Sequence, residues 1–155
     1  MKQEFKEISF DKSTGNFQFD CVTYEDILKK SPTDHNQFKF HKVSFYVLLL
    51  ITQNDCTHNL NFKDYQLKKG TLITLRKNNI HKFYKSKAKG VLLVFTENFI
   101  VNHSNKLEAS KTFLLFNEML ASPKIQLNEV EYNEIITLID LIREEYSAIN
   151  NNYSS

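Results

Sequence analysis

At 155 residues, with 20 basic and 18 acidic side chains and a formal charge of +2, the chain is sized for one self-sufficient domain and too balanced to bind nucleic acid by electrostatics alone. Its two cysteines, Cys21 and Cys56, lie far apart with no paired spacing, which argues against a disulfide-stapled secreted scaffold and for the reducing cytoplasm. No apolar run reaches spanning length and the first seven residues form no apolar signal segment, so a soluble cytoplasmic protein without membrane contact is expected.

Residues 1–40 read as a lead-in. Phe5, Ile8 and Phe10 suit a short strand, Asp11 to Gly15 a turn, and Phe17, Phe19 and Cys21 alternate again. Thr23 is placed to cap a short helix with Asp26 as its reciprocal partner, and Ser31-Pro32 ends it.

The stretch from His41 to Thr52 is the spine of the sequence. His41, Val43, Phe45, Val47, Leu49 and Ile51 alternate with Lys42, Ser44, Tyr46, Leu48, Leu50 and Thr52, so one strand sends the first set to one side. Its second half is apolar on both sides, which implies burial inside a barrel or sandwich and also under another element. After a tight turn at Gln53 to Cys56, Thr57–Phe62 returns, and Lys63-Asp64 turns again into Tyr65–Leu67. Thr71–Leu75, Ile80–Tyr84 and Val91–Thr96 follow. Short strands at regular spacing, with no helical period between them, predict an antiparallel sandwich or barrel and exclude a doubly wound sheet. Arg76, Lys77, Lys82, Lys85, Lys87 and Lys89 crowd one hairpin, either as a solvated loop or as a surface for an acidic partner.

Beyond Thr96 the period becomes helical. Leu107–Ala121 carries Phe113, Phe116 and Leu120 on one face, and Ser122-Pro123 stops it. Asn128 and Glu131 form a capping pair ahead of a second helix. Tyr132, Ile135, Leu138, Ile139, Ile142 and Tyr146 form its apolar stripe, which suits packing on the chain's own barrel, contact with a second copy, or both. The expected organisation is a β-barrel over 1–100, a helical segment over 101–149, and a frayed tail over 150–155.

Chemistry centres on histidine. His41, His58 and His81 lie on predicted strands and can converge inside a barrel. The partner position two residues from His41 is Val43, and the inward face of 43–51 holds no carboxylate, so no catalytic metal or other cofactor is expected. His41 and His81 read either as hydrogen-bonded interior histidines or as contacts to a polar ligand. Neither cysteine sits in an activated arrangement and three glycines form no phosphate loop. No coherent catalytic set emerges.

The succession from Asp34 through His41 to Tyr46, then Leu50-Ile-Thr52, His58 to Phe62 with Tyr65, Lys69 to Leu72, Lys77 to Phe83 and Phe95 to Phe99 resembles the N-terminal cupin domain of AraC-type transcription regulators. It is most similar to the version common in Bacteroidetes, and the resemblance runs in order from about Phe17 to Tyr146. It implies a small jelly-roll barrel that senses an effector, followed by two helices through which the family dimerises. His41 and His81 fall where metal-binding cupins place two ligands, whereas Val43 and Val47 fall where those proteins place the others. Asn54 and Cys56 occupy turn positions where glycine is expected.

The resulting expectation is a cupin-like jelly roll with two C-terminal helices that senses a small-molecule effector and forms a homodimer. The pocket is assigned to His41, Val43, Phe45, Val47, His81 and Phe83, with His58 at its rim, and dimerisation to the stripe from Tyr132 to Tyr146. The helix-turn-helix pair of the resembled family would follow these helices, so DNA is expected to be read only by a domain outside this chain. The competing readings are a stand-alone cupin enzyme and a truncated partner that dimerises with longer relatives and blocks them.

Overall fold

The structure, a computed structural model, describes residues 6–8, 18–30, 36–118 and 122–153. Within them the elements run β1 (Lys6–Ile8), β2 (Phe19–Thr23), α1 (Tyr24–Lys29), β3 (His41–Val43), β4 (Tyr46–Gln53), β5 (Cys56–Leu60), β6 (Lys63–Leu67), β7 (Thr71–Leu75), β8 (Ile80–Phe83), β9 (Lys89–Phe95), α2 (Glu97–His103), α3 (Lys106–Glu118), β10 (Lys124–Gln126) and α4 (Glu129–Tyr153). Phe5, Phe10, Phe17 and the Ser31-Pro32 stop lie outside the described residues.

The strands form two five-stranded sheets, ordered β1-β3-β8-β5-β6 and β10-β7-β4-β9-β2. Apart from the parallel pair β1 and β3, neighbours are antiparallel. Setting aside the edge strands β1 and β10, the orders are those of two interleaved Greek keys, a jelly roll. The fold class expected from the strand spacing is the one observed.

The expected single strand from His41 to Thr52 is in fact two. The chain bends at Ser44-Phe45, so that β3 pairs with β8 in the first sheet and β4 lies between β7 and β9 in the second. The inward set survives the corner. Val43, Val47, Leu49 and Ile51 are each at most 3% exposed, and Phe45 packs against the same core. That core joins Val47, Leu49 and Ile51 to Leu60, Leu67, Ile73, Leu75, Phe83 and Leu92, with Tyr24 of α1 at its edge. Leu48 and Leu50 point the opposite way, into a second apolar layer shared with Val91, Leu93 and Leu72 and closed by Tyr132, Ile135, Ile136, Ile139 and Ile142 of α4. Both sides of β4 are therefore buried, as its apolar second half implied.

Local chemistry fixes the turns and helix ends. The β5–β6 hairpin turns at Asn61-Phe62, both in the left-handed region (φ 51° and 68°), not at Lys63-Asp64, which belong to β6. A two-residue connection in this conformation matches the twist of the paired strands. Asn54 (φ 63°) supplies the left-handed backbone expected of glycine in the first hairpin and donates its side-chain amide to the Lys87 carbonyl, whereas Cys56 is a buried strand residue. Gly90 has no room for a side chain, because a Cβ there would lie 2.4 Å from the Leu50 carbonyl oxygen.

Asn128 caps α4 reciprocally with Glu131: each backbone N–H donates to the other's side chain, at 2.8 and 2.9 Å. Asn105 and Glu108 do the same for α3. The helical segment departs from the expected pair of helices by the short α2, capped by Thr96, and α4 runs through Tyr153, past the boundary expected at 149. Lys124–Gln126 adds an edge strand on β7, and Thr71 donates its hydroxyl to Gln126 there at 2.8 Å.

Candidate functional site inside the jelly roll

Pairing register brings the three strand histidines together. His41 of β3 stands opposite His81 of β8. On the other side of β8, His58 of β5 opposes Phe83 and Leu60 opposes His81, which leaves His58 and His81 diagonal to each other. Their rings meet: His58 Nε2 lies 3.0 Å from His81 Nδ1, and the His41 and His81 ring centroids are 4.1 Å apart, edge to face. His41 Nδ1–H donates to the Lys39 carbonyl at 3.0 Å, since a carbonyl oxygen only accepts. Phe83 touches all three rings, with centroids 4.9 to 6.3 Å away, and Tyr24 backs Phe83 at 5.6 Å.

The cluster is closed to water. His41, His58 and His81 are 5%, 0% and 4% exposed, which corrects the expected rim position of His58; its ring faces inward, against the rings of His81 and Phe83. Burial disfavours the charged form, and the nearby His41 adds to this, so the His58 imidazole is pushed down to about 3 and that of His81 well below its ordinary value. Both rings are neutral at physiological pH.

A neutral pair cannot satisfy itself. Two neutral imidazoles present two N–H donors and two lone pairs. Their mutual bond uses one of each, in either tautomer. His58 Nδ1 and His81 Nε2, the remaining two nitrogens, have no hydrogen-bond partner among the described residues. One donor and one acceptor are left unmatched by protein groups in a buried interior, at a cost of about 1 to 3 kcal/mol for each such group if it stays unpaired.

Of the expected pocket residues, His41, Val43, Val47, His58, His81 and Phe83 are buried in this interior and Phe45 is half-buried against it. Among the described residues, no group of three or more His, Cys, Asp or Glu is disposed to hold a metal ion. Along the expected dimerisation stripe, Ile139 is buried and Tyr132, Ile135 and Ile142 pack on the chain's own sheet, while Tyr146 donates its hydroxyl to Asp20 at 2.5 Å. Leu138 faces outward with Val130 and Leu141, each more than half exposed.

The sequence reading missed an open cleft beside this interior. It has a volume of about 200 Å³, a polar wall of Asn61, Lys63, Thr74, Arg76 and Asn79, and an apolar wall of Leu60, Tyr65, Phe116 and Pro123. Its polar wall is held rigidly. Asn79 accepts from the Arg76 N–H through its side chain at 2.8 Å and donates its own N–H to the Arg76 carbonyl at 3.0 Å, while the Asn61 side chain accepts from the Ile80 N–H. Phe116 and Pro123 reach the cleft from outside the eight-stranded core, so no periodicity within the strands could have marked it. A second hollow, between α1 and the β8–β9 connection, is lined by Lys29, Lys85, Lys87 and Lys89 around Glu25.

Topology and interior define a cupin-like jelly roll with a helical C-terminal segment. Residues 26–93 match the family model of the AraC-like ligand binding domain. No curated protein matches the chain. Among solved structures, the chain is similar to ToxT from Vibrio cholerae bound to (E)-4-(8-methylnaphthalen-1-yl)but-3-enoic acid, at 12% identity over 83% of this chain and 49% of that one, with a TM-score of 0.43. A second ToxT structure gives 11% identity over 79% and 48%, with a TM-score of 0.41. An RmlC-like cupin from Methanocaldococcus jannaschii gives 17% over 50% and 67%, with a TM-score of 0.34. The chain spans about half the length of the ToxT chains. No helix among the described residues is long and apolar enough to cross a membrane.

Proposed function

We propose that this chain is the effector-sensing domain of an AraC-type transcription regulator acting in the cytoplasm, and that a small polar molecule docks against His41, His58 and His81. The observation that carries this is the pair of unpartnered ring nitrogens on His58 and His81, buried in a domain whose residues 26–93 match an AraC-like ligand binding domain. A ligand that offers one acceptor and one donor, such as a hydroxyl, satisfies both nitrogens at once and offsets the cost of burying them unpaired. Val43, Phe45, Val47 and Phe83 supply the apolar surround that keeps water out. In this reading the rings orient the ligand as neutral partners rather than as charges.

The output runs through the helical segment. An effector shifts the pose of α3 and α4 to the extent that it binds one pose better than another, and a helix-turn-helix module outside residues 1–155 reads the promoter. Homodimerisation uses the outward face of α4, where Val130, Leu138 and Leu141 are exposed, because the remainder of the stripe is engaged with the sheet.

The test is a thermal-shift screen of small polar metabolites, followed by NMR of the histidine ring resonances. A binder raises the melting temperature and shifts the His58 and His81 ring signals, and His81→Phe abolishes both effects in a protein that still folds. A screen in which no compound moves either signal refutes the reading.

A further inference from the structure

The contact between His58 and His81 sets what can bind there. Its two nitrogens are 3.0 Å apart, while the ring centroids are 5.2 Å apart and the planes are tilted by 36°. The centroid separation exceeds the nitrogen contact by about two ring radii, so the nitrogens point at each other and the rings do not stack. Phe83 lies against both rings, with centroids at 4.9 and 5.4 Å, which holds their planes in place.

A hydrogen bond between two imidazole nitrogens contains one proton, and each neutral ring carries one proton on one of its two nitrogens. Together these conditions couple the rings. If the shared proton belongs to His58 Nε2, then His81 Nδ1 accepts it and the proton of His81 sits on Nε2. If it belongs to His81 Nδ1, then His58 Nε2 accepts and the proton of His58 sits on Nδ1. The two rings therefore share one tautomer, both Nε2–H or both Nδ1–H. A mixed pair would set lone pair against lone pair, or N–H against N–H. To pass from the first state to the second, the shared proton crosses the contact, one proton leaves His81 Nε2 and one arrives at His58 Nδ1. A water or a ligand that takes one and gives the other leaves the count unchanged. His41 stands outside this exchange, because the Lys39 carbonyl holds its proton at Nδ1.

We propose that the His58–His81 pair reads its ligand as a single element of reversible polarity, taking a carboxamide-like group with a donor and an acceptor on separate atoms and refusing a carboxylate or an ammonium. This rests on the sensing role given above and names the ligand class. In one state His81 Nε2 donates and His58 Nδ1 accepts; in the other the roles are exchanged. An amide meets either arrangement and fixes the tautomer that matches its own direction. A carboxylate brings only acceptors, so one of them faces the remaining lone pair. An ammonium brings only donors, so one of them faces the remaining N–H. Either mismatch leaves a buried polar group unpaired, which is how a site rejects a near neighbour of its ligand. For the pair to donate from both nitrogens it would have to take up another proton, and burial resists that.

The test starts from the free chain. Long-range proton–nitrogen spectra of the full chain labelled with 15N, at neutral pH, are expected to show His58 and His81 as neutral rings with matching tautomers, or with matching ratios of the two. His41, held as Nδ1–H, serves as the reference. Acetamide is then expected to move the ring signals of His58 and His81 together, and to bind about tenfold or more tightly than sodium acetate or methylammonium chloride, as follows from one unmatched buried group. His58→Leu removes the coupling, so the tautomer ratio of His81 should change and its response to acetamide should be lost. If that variant does not fold, the wild-type spectra and the three probes decide. Opposite tautomers on the two rings, an imidazolium on either, or rings that do not respond to acetamide would overturn the proposal. Acetate that binds at the cluster as tightly as acetamide would also overturn it while leaving the sensing role in place. The sensing role fails by itself if the tautomers match in the free chain and no compound, probe or metabolite, moves them.

Discussion

The histidine cluster and the Lys63/Arg76 cleft share Leu60 as a wall and differ in how far water reaches them. In the cluster, burial of the inward-facing rings disfavours the charged form of His58 and His81. In the cleft, the end of a hairpin leaves Lys63 exposed and Arg76 half-buried. A closed polar interior must match each donor to an acceptor, whereas polar groups in an open cleft are met by solvent. One strand, β5, serves both, because the residues that follow His58 on the same face lead toward the hairpin.

Each side of this contrast can be broken separately. The largest effect is expected from His58→Asp, which puts an ionised group into the dry cluster without a compensating cation; a loss of about 3 kcal/mol or more in urea unfolding follows from the cost of an unpaired buried charge. Next comes acid. The unfolded chain protonates His58 near its ordinary value of about 6.5, while the folded chain resists protonation down to about 3. Between these values the unfolded state binds the extra proton, so stability is full above the upper value and falls as pH drops through the window. The expected loss from His58 between pH 7 and pH 5 is about 2 kcal/mol, His81 adds to it in the same direction, and His58→Leu should flatten the slope measured by denaturation at successive pH values. An ordinary acid profile in the Leu variant, as steep as wild type, would break the assignment of the slope to this ring.

On the cleft side the effects on folding are smaller. Asn79→Ala removes the acceptor for the Arg76 N–H and should cost about 1 kcal/mol by denaturation. Lys63→Gln should change stability by less than about 0.5 kcal/mol. If Lys63→Gln destabilises the fold as much as Asn79→Ala, the cleft cation is structural and the contrast fails.

Much of the frame was legible along the chain. Alternation from His41 to Ile51 identified the inward set, the doubly apolar half of β4 announced a covering layer, and Asn128 with Glu131 marked the start of α4. The equivalent pair Asn105 and Glu108, which starts α3, carried the same signal and was passed over. The Asn61-Phe62 turn was harder to see, because a bulky aromatic rarely takes a left-handed backbone; here Phe62 does so with its ring against Phe40, centroids 4.9 Å apart.

What the sequence by itself determined is which side each strand residue takes, since side-chain alternation is a local property of extended backbone and passes unchanged through the bend at Ser44-Phe45. Only the tertiary structure decided which strands become neighbours. That choice set His58 diagonal to His81, buried it rather than leaving it at a rim, turned most of the α4 stripe onto the sheet, and brought Phe116 and Pro123 to a hairpin more than 50 residues earlier in the chain. Strand order and helix docking depend on contacts between segments distant in sequence, and a period read within one segment holds no information about its partner.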